Sequence, residues 1–149
     1  MPVEPDDDLA LRALAYAYAR AMDRRDVDLL LTAFTPDARL ALFDPADGPD
    51  PVMERVGHDA LAAMVGRIAR YDRTYHFVGN AVYDVDGDDA TGEVHGIAHH
   101  LTRDGDGGGT DRVMLIRYDD RYHRGDDGWR IVERRVLVDW TETRTVDAV

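Results

Sequence analysis

Asp23 and His76 have the residue types and the positions that suit acid–base chemistry. Asp23 ends an apolar helical segment, where the helix macrodipole disfavours a carboxylate by roughly 0.3–1 kcal/mol. His76 lies in a segment typical of a β-strand. A carboxylate that binds one imidazole nitrogen fixes the tautomer and makes the ring a stronger base, so the pair predicts a general base. Two other interpretations are open: Asp23 could form a surface ion pair with Arg24 or Arg25, and His76 could be a buried core histidine.

Two adjacent histidines, His99 and His100, follow in the next predicted strand and must point to opposite faces of the sheet. Gly96 and Ala98 share a face with His100 and leave room for a ligand, which favours His100 as the residue in a pocket. The side that His99 takes stays open. We expect further contacts with a bound molecule from Tyr118, Asn80, His99, Phe43 and Met114.

The absence of several residue types excludes whole classes of catalysis. The chain has no Cys, no Ser and no Lys, which excludes a thiolate nucleophile, a serine triad and a side-chain Schiff base. Its six histidines do not follow a spacing that gathers about three zinc ligands, so we expect neither a metal nor a cofactor. Acid–base chemistry by His, Tyr, Arg and carboxylates is what is left.

The net charge of the chain restricts the kinds of partner that it can bind. Its 149 residues carry a net charge of -12, which repels nucleic acid and anionic membrane surfaces. The N-terminus is acidic, and no apolar run approaches the ~18 residues of a membrane span, so we expect a cytoplasmic protein. The length fits a single domain over residues 1–149, with flexible tails at 1–7 and 142–149.

Hydrophobic periodicity predicts helices in the first half of the chain and strands in the second. The helical segments are Asp8–Met22, Val27–Phe34 and Asp59–Tyr71, with a short strand and a proline-rich loop before the third. Four long β-branched and aromatic segments follow, separated by turn sequences: 74–83, 90–103, 111–124 and 129–140. This order predicts an α+β fold in which a strongly curved antiparallel sheet wraps over the N-terminal helices as a cone with an interior pocket.

The order of these elements and three short motifs resemble one known family. The motifs are Tyr-x-x-x-x-Asp at residues 18–23, His-Phe-Val-Gly-Asn at 76–80 and Asp-Gly-Trp-Arg-Ile at 127–131. From Leu9 to Trp140 the chain resembles the SnoaL-like branch of the nuclear transport factor 2-like superfamily. The resemblance implies a cone-shaped pocket and an activity among dehydratases, isomerases, epoxide hydrolases and polyketide cyclases, or a non-catalytic role.

The resemblance also implies roles for individual residues. Asp23 and His76 match the Asp and the His shared by scytalone dehydratases and hexachlorocyclohexane dehydrochlorinases. Tyr18 matches the catalytic Tyr of bile-acid 7α-dehydratases, and His100 matches a second pocket His of scytalone dehydratases. A catalytic Tyr of scytalone dehydratases falls on Met22 here, which argues against their phenolic substrate.

The residues and the resemblance together predict a cofactor-independent, dehydratase-like lyase that acts on a small hydrophobic molecule. His76, held by Asp23, would remove a proton beside a leaving group, and Tyr18, with Tyr118 or His100, would donate to that group. An isomerase or polyketide cyclase would use the same residues without losing a group. A non-catalytic ligand-binding or assembly module has no reason to face them toward one another.

The last predicted strand suggests self-association. Val132, Val136, Val138 and Trp140 alternate along it as an apolar stripe, which we expect on the convex face of the sheet. A stripe of this kind needs cover from water. The sequence therefore predicts a homodimer or a homotrimer.

Overall fold

In the computed structural model, which describes residues 3–149, three helices accompany one six-stranded sheet. The helices are α1 (Pro5–Arg24), α2 (Val27–Thr32) and α3 (His58–Ile68). The strands are β1 (Phe34–Phe43), β2 (Met53–Val56), β3 (Arg73–Asp86), β4 (Asp89–Arg103), β5 (Gly109–Gly125) and β6 (Gly128–Val146). A short 3-10 turn, Pro45–Asp47, lies in the proline-rich loop between β1 and β2.

Helix α1 begins where the sequence supplies a proline and three carboxylates. Pro5 stands at the start, and Asp6, Asp7 and Asp8 fill the first turn, where negative charge complements the helix dipole. The helix ends because Arg25 takes a left-handed conformation with φ 59°. The side of α1 that packs against the sheet includes Leu11, Ala15, Tyr18 and Met22.

The strands form one sheet in the order β2-β1-β6-β5-β4-β3. Neighbouring strands are antiparallel except β1 and β6, which are parallel. The α+β class and the curved sheet over N-terminal helices are confirmed, and the four long strands are antiparallel as expected, but the pair β1 and β6 makes the sheet mixed. β6 is the second strand of the β5–β6 hairpin, and its other neighbour, β1, comes from much earlier in the chain. Because no hairpin turn joins β1 to β6, their relative direction is not restricted to antiparallel.

A bulge in β3 changes which of its side chains face the helices. The pairing of β3 with β4 shifts register between Val78 and Ala81, so two residues of β3 lie where a regular strand would have one. Before the bulge, His76 and Val78 lie on the inner face, which is the face that carries α1 and α3. Asn80 lies in the bulge and is exposed on the opposite, outer face.

A second bulge removes the apolar stripe predicted on β6. The predicted stripe consists of Val132, Val136, Val138 and Trp140. Val136 and Val138 are buried on the inner face, whereas Trp140 is 55% exposed on the outer face. The extra residue Asp139 lies between them and reverses the alternation. The expectation that the four residues share one face is therefore wrong.

Parts of both predicted tails belong to regular elements. Residues 5–7 form the first turn of α1, and Asp7 accepts hydrogen bonds of 2.8 Å from Arg124 and from Trp129. Residues 142–146 extend β6 and pair with the start of β5. The prediction of tails is wrong for these two segments, because their partners lie far away in the sequence. Met1 and Pro2 lie outside the described residues.

Candidate active site

A cavity of about 370 Å³ opens between the inner face of the sheet, α1 and α3. Five polar aromatic side chains line it: Tyr18, Tyr71, His76, His100 and Tyr118. Most of the remaining wall is apolar, which is the usual composition of a site for a small organic molecule. The apolar lining comprises Met22, Leu40, Leu42, Val52, Met53, Met64, Ile68, Ala98, Met114, Ile116 and Val136.

Asp23 and His76 form a tightly hydrogen-bonded pair at this cavity. Nδ1 of His76 lies 2.7 Å from Oδ1 of Asp23, and the backbone N–H of His76 donates to Oδ2 over 2.9 Å. Because an ionised carboxylate only accepts, Nδ1 carries the proton, and Nε2 is the nitrogen with the lone pair in the neutral ring. The His76 side chain is only 6% exposed and lines the cavity. The carboxylate thus fixes the ring and leaves Nε2 as a possible base.

Arg25 and Thr74 fix the carboxylate in turn. The Arg25 guanidinium donates to the Thr74 hydroxyl over 2.6 Å and to the Tyr71 carbonyl over 3.3 Å, which ties the end of α1 to β3. Burial raises the pKa of Asp23, but hydrogen bonds from His76 and Thr74 and the attraction of the imidazole outweigh it, so the net pKa is lowered. Asp23 is therefore ionised at neutral pH, and its partner is His76 rather than a surface arginine.

His100 is the histidine of its strand that lines the cavity. Its Nδ1 donates to the backbone carbonyl of Arg112 over 3.2 Å, so Nε2 again keeps a lone pair. Burial lowers the pKa of His100 to about 4, and the nearby His76 and Arg112 add to the decrease. At neutral pH the ring is uncharged and Nε2 accepts hydrogen bonds. The expectation that His100 donates to a leaving group is therefore not supported by this hydrogen bond.

A fully buried ion pair lies beside the two tyrosines of the cavity. Arg134 donates to both carboxylate oxygens of Asp120, over 2.9 and 2.6 Å, and neither side chain is exposed. The guanidinium carbon lies 4.4 Å from the ring centroid of Tyr18 and 4.0 Å from that of Tyr118. Burial raises the pKa of both phenols, and the charge of Arg134 opposes the increase. Both hydroxyls stay protonated and can donate hydrogen bonds.

The ion pair was not predicted, although half of it left a signal in the sequence. Asp120 lies between Tyr118 and Tyr122 in strict alternation, which indicates an inward carboxylate. The Tyr122 hydroxyl also donates to Asp120 over 2.8 Å. Arg134 gave no such signal, because a register shift in β6 near Val132 reverses the alternation just before it.

Three of the residues predicted to contact a bound molecule do not line the cavity. Asn80 lies in the bulge of β3, and His99 lies on the outer face, with Nδ1 2.7 Å from Oδ2 of Asp111. Phe43 follows the inward Leu42 and so faces out, where its ring lies under the Arg135 guanidinium at 5.0 Å. The prediction that these three lie in the pocket is wrong. The predicted residues that do line it are Tyr18, His76, His100, Met114 and Tyr118.

Two further features of the described residues concern metal binding and the membrane. Within residues 3–149, His, Asp and Glu side chains do not gather in a group of three or more that could hold a metal ion. Over the same range, the helices are too short or too polar to cross a membrane.

Membership of a protein family follows from a match of the family's model to most of the chain. The model of the SnoaL-like domain matches residues 4–135. The chain belongs to the SnoaL-like family. Rv2910c, an uncharacterized protein of Mycobacterium tuberculosis, is 32% identical to this SnoaL-like protein over 135 residues, which cover 88% of this chain and 84% of the relative.

Solved structures extend the likeness to the whole fold. Kfla4162 from Kribbella flavida is 26% identical with a TM-score of 0.79, and the match covers 92% of this SnoaL-like protein and 93% of that chain. An NTF2-like protein with a cystatin-like fold from Novosphingobium aromaticivorans is 25% identical, with a TM-score of 0.69 over 90% and 82%. A hexachlorocyclohexane dehydrochlorinase, LinA type 2, is 18% identical, with a TM-score of 0.76 over 95% and 93%. The protein therefore has the nuclear transport factor 2-like, cystatin-like fold.

Proposed function

We propose that this SnoaL-like protein is a cofactor-independent lyase that eliminates water from a small, mostly hydrophobic molecule. The observation that carries the proposal is the orientation of His76. Both oxygens of Asp23 bind this one residue, so the ring has a fixed tautomer and its free nitrogen is on the side away from the carboxylate. A base held in this way beside an apolar cavity suits the removal of a proton from carbon.

In the proposed reaction, Nε2 of His76 takes a proton from the carbon next to the one that bears the hydroxyl. The electrons of that C–H bond are first held as an enolate by a neighbouring carbonyl, and they form the new double bond when the C–O bond then breaks. Asp23 stabilises the imidazolium that forms, as a carboxylate does beside a catalytic histidine. The imidazolium then returns the proton to the departing hydroxyl on the same face, so that water leaves and the protein regains its starting state.

Tyr18 and Tyr118 are the proposed donors to the developing negative charge. Their protonated hydroxyls belong to the lining of the cavity, and the Arg134 guanidinium lies against both rings. A cation over a phenol ring favours a shift of negative charge onto the phenol oxygen. His100, whose Nε2 accepts, would instead bind a hydroxyl hydrogen of the substrate and orient it.

The comparisons support an elimination at the level of the fold. A protein named a dehydrochlorinase shares the fold of this chain, and family membership is consistent with a pocket that converts small molecules. One fold hosts many reactions, so the proposal depends on the geometry of Asp23 and His76 rather than on these likenesses.

Hydrogen exchange at carbon tests the proposal directly. The protein would be incubated in deuterated water with a panel of small aromatic β-hydroxy ketones, half of which carry a carboxylate, and mass spectrometry would measure deuterium in the recovered substrate and loss of water in the product. We expect both signals with the wild-type protein and neither with His76→Ala. A product of unchanged mass would favour an isomerase or cyclase, and no exchange with any member of the panel would contradict the proposal and favour a binding or assembly module.

Homo-oligomers and a cytoplasmic location remain predictions. The outer face still offers apolar side chains for self-association, because Tyr75, Phe77 and Trp140 are 61%, 53% and 55% exposed. We propose a homodimer or homotrimer through this face. Light scattering at micromolar concentration tests it, and a monomer there would contradict it.

A further inference from the structure

Three arginines line the open end of the cavity. Arg67 lies in the last turn of α3, Arg70 follows it, and Arg112 lies on β5; all three are exposed and belong to the lining. Within the described residues, none of them forms an ion pair with a carboxylate. Arginines outside the cavity occur in both states: Arg117 lies 2.8 Å from Asp139, whereas Arg20 and Arg24 form no ion pair within the described residues, so what distinguishes the three is their place in the lining of the cavity.

The position of two of these guanidinium groups is constrained. Arg70 lies over the ring of Tyr71 at 4.9 Å and donates to its hydroxyl over 2.9 Å, while the same ring packs against His100 with centroids 4.8 Å apart. Arg112 pairs across the strands with His100, and its charge is among the causes, after burial, that lower the pKa of that ring. Both arginines are therefore tied to the polar end of the cavity.

Two carboxylates, Asp44 and Asp47, also belong to the lining. The Asp44 side chain accepts a hydrogen bond from the backbone N–H of Ala46, which caps the 3-10 turn. Neither carboxylate lies within ion-pair distance of an arginine of the lining in the described residues. The opening thus has more positive than negative side chains, in a chain whose net charge is -12. A local excess of positive charge is unexpected in a chain with so many acidic side chains, and a bound anion would explain it.

We propose that the molecule converted in this cavity carries an anionic oxygen group, such as a carboxylate, which binds Arg67, Arg70 and Arg112. This inference rests on the proposed function and names its substrate class: an amphipathic acid rather than a neutral molecule. Guanidinium groups bind planar oxyanions through paired N–H donors. The anion at the opening would hold the apolar part of the molecule inward, against the wall that holds His76.

Two dyes with the same rings test the charge requirement without any turnover. Anilinonaphthalene sulfonate is anionic, and N-phenylnaphthylamine is its neutral parent. The probes would be titrated by fluorescence against the wild-type protein and against the triple variant Arg67→Gln, Arg70→Gln, Arg112→Gln. We expect the anionic dye to lose about tenfold in affinity and the neutral dye to keep its affinity, since each exposed charge contact contributes modestly. Added salt should weaken the anionic dye alone.

A second triple variant provides the control for net charge. Arg20, Arg24 and Arg121 are exposed and lie outside the cavity, so their exchange for Gln changes the total charge equally. Circular dichroism melts would show that both variants fold. The inference is wrong if the two triple variants weaken the anionic dye alike, if the cavity variant weakens both dyes alike, or if it weakens neither. Deuterium exchange is measured on neutral and on carboxylate-bearing substrates, and the dyes report binding alone, so the failure of this inference and that of the proposed function can be told apart.

Discussion

The protein contains two His–Asp pairs of the same hydrogen-bond length on opposite faces of one sheet. On the inner face, Nδ1 of His76 lies 2.7 Å from Oδ1 of Asp23. On the outer face, Nδ1 of His99 lies 2.7 Å from Oδ2 of Asp111. Distance alone therefore does not identify a catalytic base.

The surroundings of the two pairs differ. Both oxygens of Asp23 bind His76, whereas Oδ1 of Asp111 is buried without a hydrogen-bond partner in the described residues. The His76 ring lines a cavity beside phenols, but the His99 ring is 28% exposed and lies against Tyr75. A pair acts as a base only where a substrate can lie against the free nitrogen. By that criterion the inner pair is the candidate, and the outer pair is its natural control.

The largest expected effect is that of His76→Ala on proton abstraction. Loss of the base should lower the rate of deuterium exchange by about 10²–10⁴-fold. The same change on the outer face, His99→Ala, serves as the matched control. Exchange that falls equally in both variants would remove the distinction between the two pairs.

A somewhat smaller loss is expected for Asp23→Asn. The amide can still accept from the ring but no longer stabilises the imidazolium, so exchange should fall by roughly 10²-fold or more. The double variant with His76→Ala should be scarcely slower than His76→Ala alone, because the two residues act as a unit. If the fold-losses of the two single variants multiply in the double variant, the two side chains act independently.

The stability of the protein should depend on His100 in mildly acidic solution. Its folded pKa of about 4 lies below the ordinary value of 6.5, so the unfolded chain binds the proton first as the pH falls. The folded state therefore keeps its full stability above about pH 6.5 and loses roughly 3 kcal/mol from this residue by about pH 4. Denaturant unfolding of His100→Phe should show a smaller decrease over that interval than wild type. Met114→Leu, a cavity variant that does not titrate, should retain the wild-type decrease.

The smallest expected effect on deuterium exchange is that of changes to the outer pair. Asp111→Asn and His99→Ala should leave deuterium exchange within about twofold of wild type, since neither residue reaches the cavity. The rates would be measured on variants whose circular dichroism shows a folded protein. A loss of exchange in a folded Asp111→Asn protein would show that the outer pair acts on the site.

The sequence was sufficient for the inner pair and insufficient for the residues beyond it. Helical periodicity predicted α1 and placed Asp23 at its end, and the family resemblance gave His76 its place in the pocket, which strand alternation by itself left open. Alternation failed at Asn80 and on β6, because bulges depend on pairing with another strand and leave no local signal. The parallel pairing of β1 with β6 was missed for a related reason, since it joins segments far apart in the chain.

The bulge of β3 has a consequence for how related sequences align. Val78 and Ala81 both face inward, so a chain that lacked either Gly79 or Asn80 would have a regular strand with the same inward residues. A deletion of one residue at this point therefore shortens β3 without turning His76 or Tyr83 to the other side. We expect a relative with a one-residue gap here to retain the geometry of the site, whereas a gap between Thr74 and His76 would remove it.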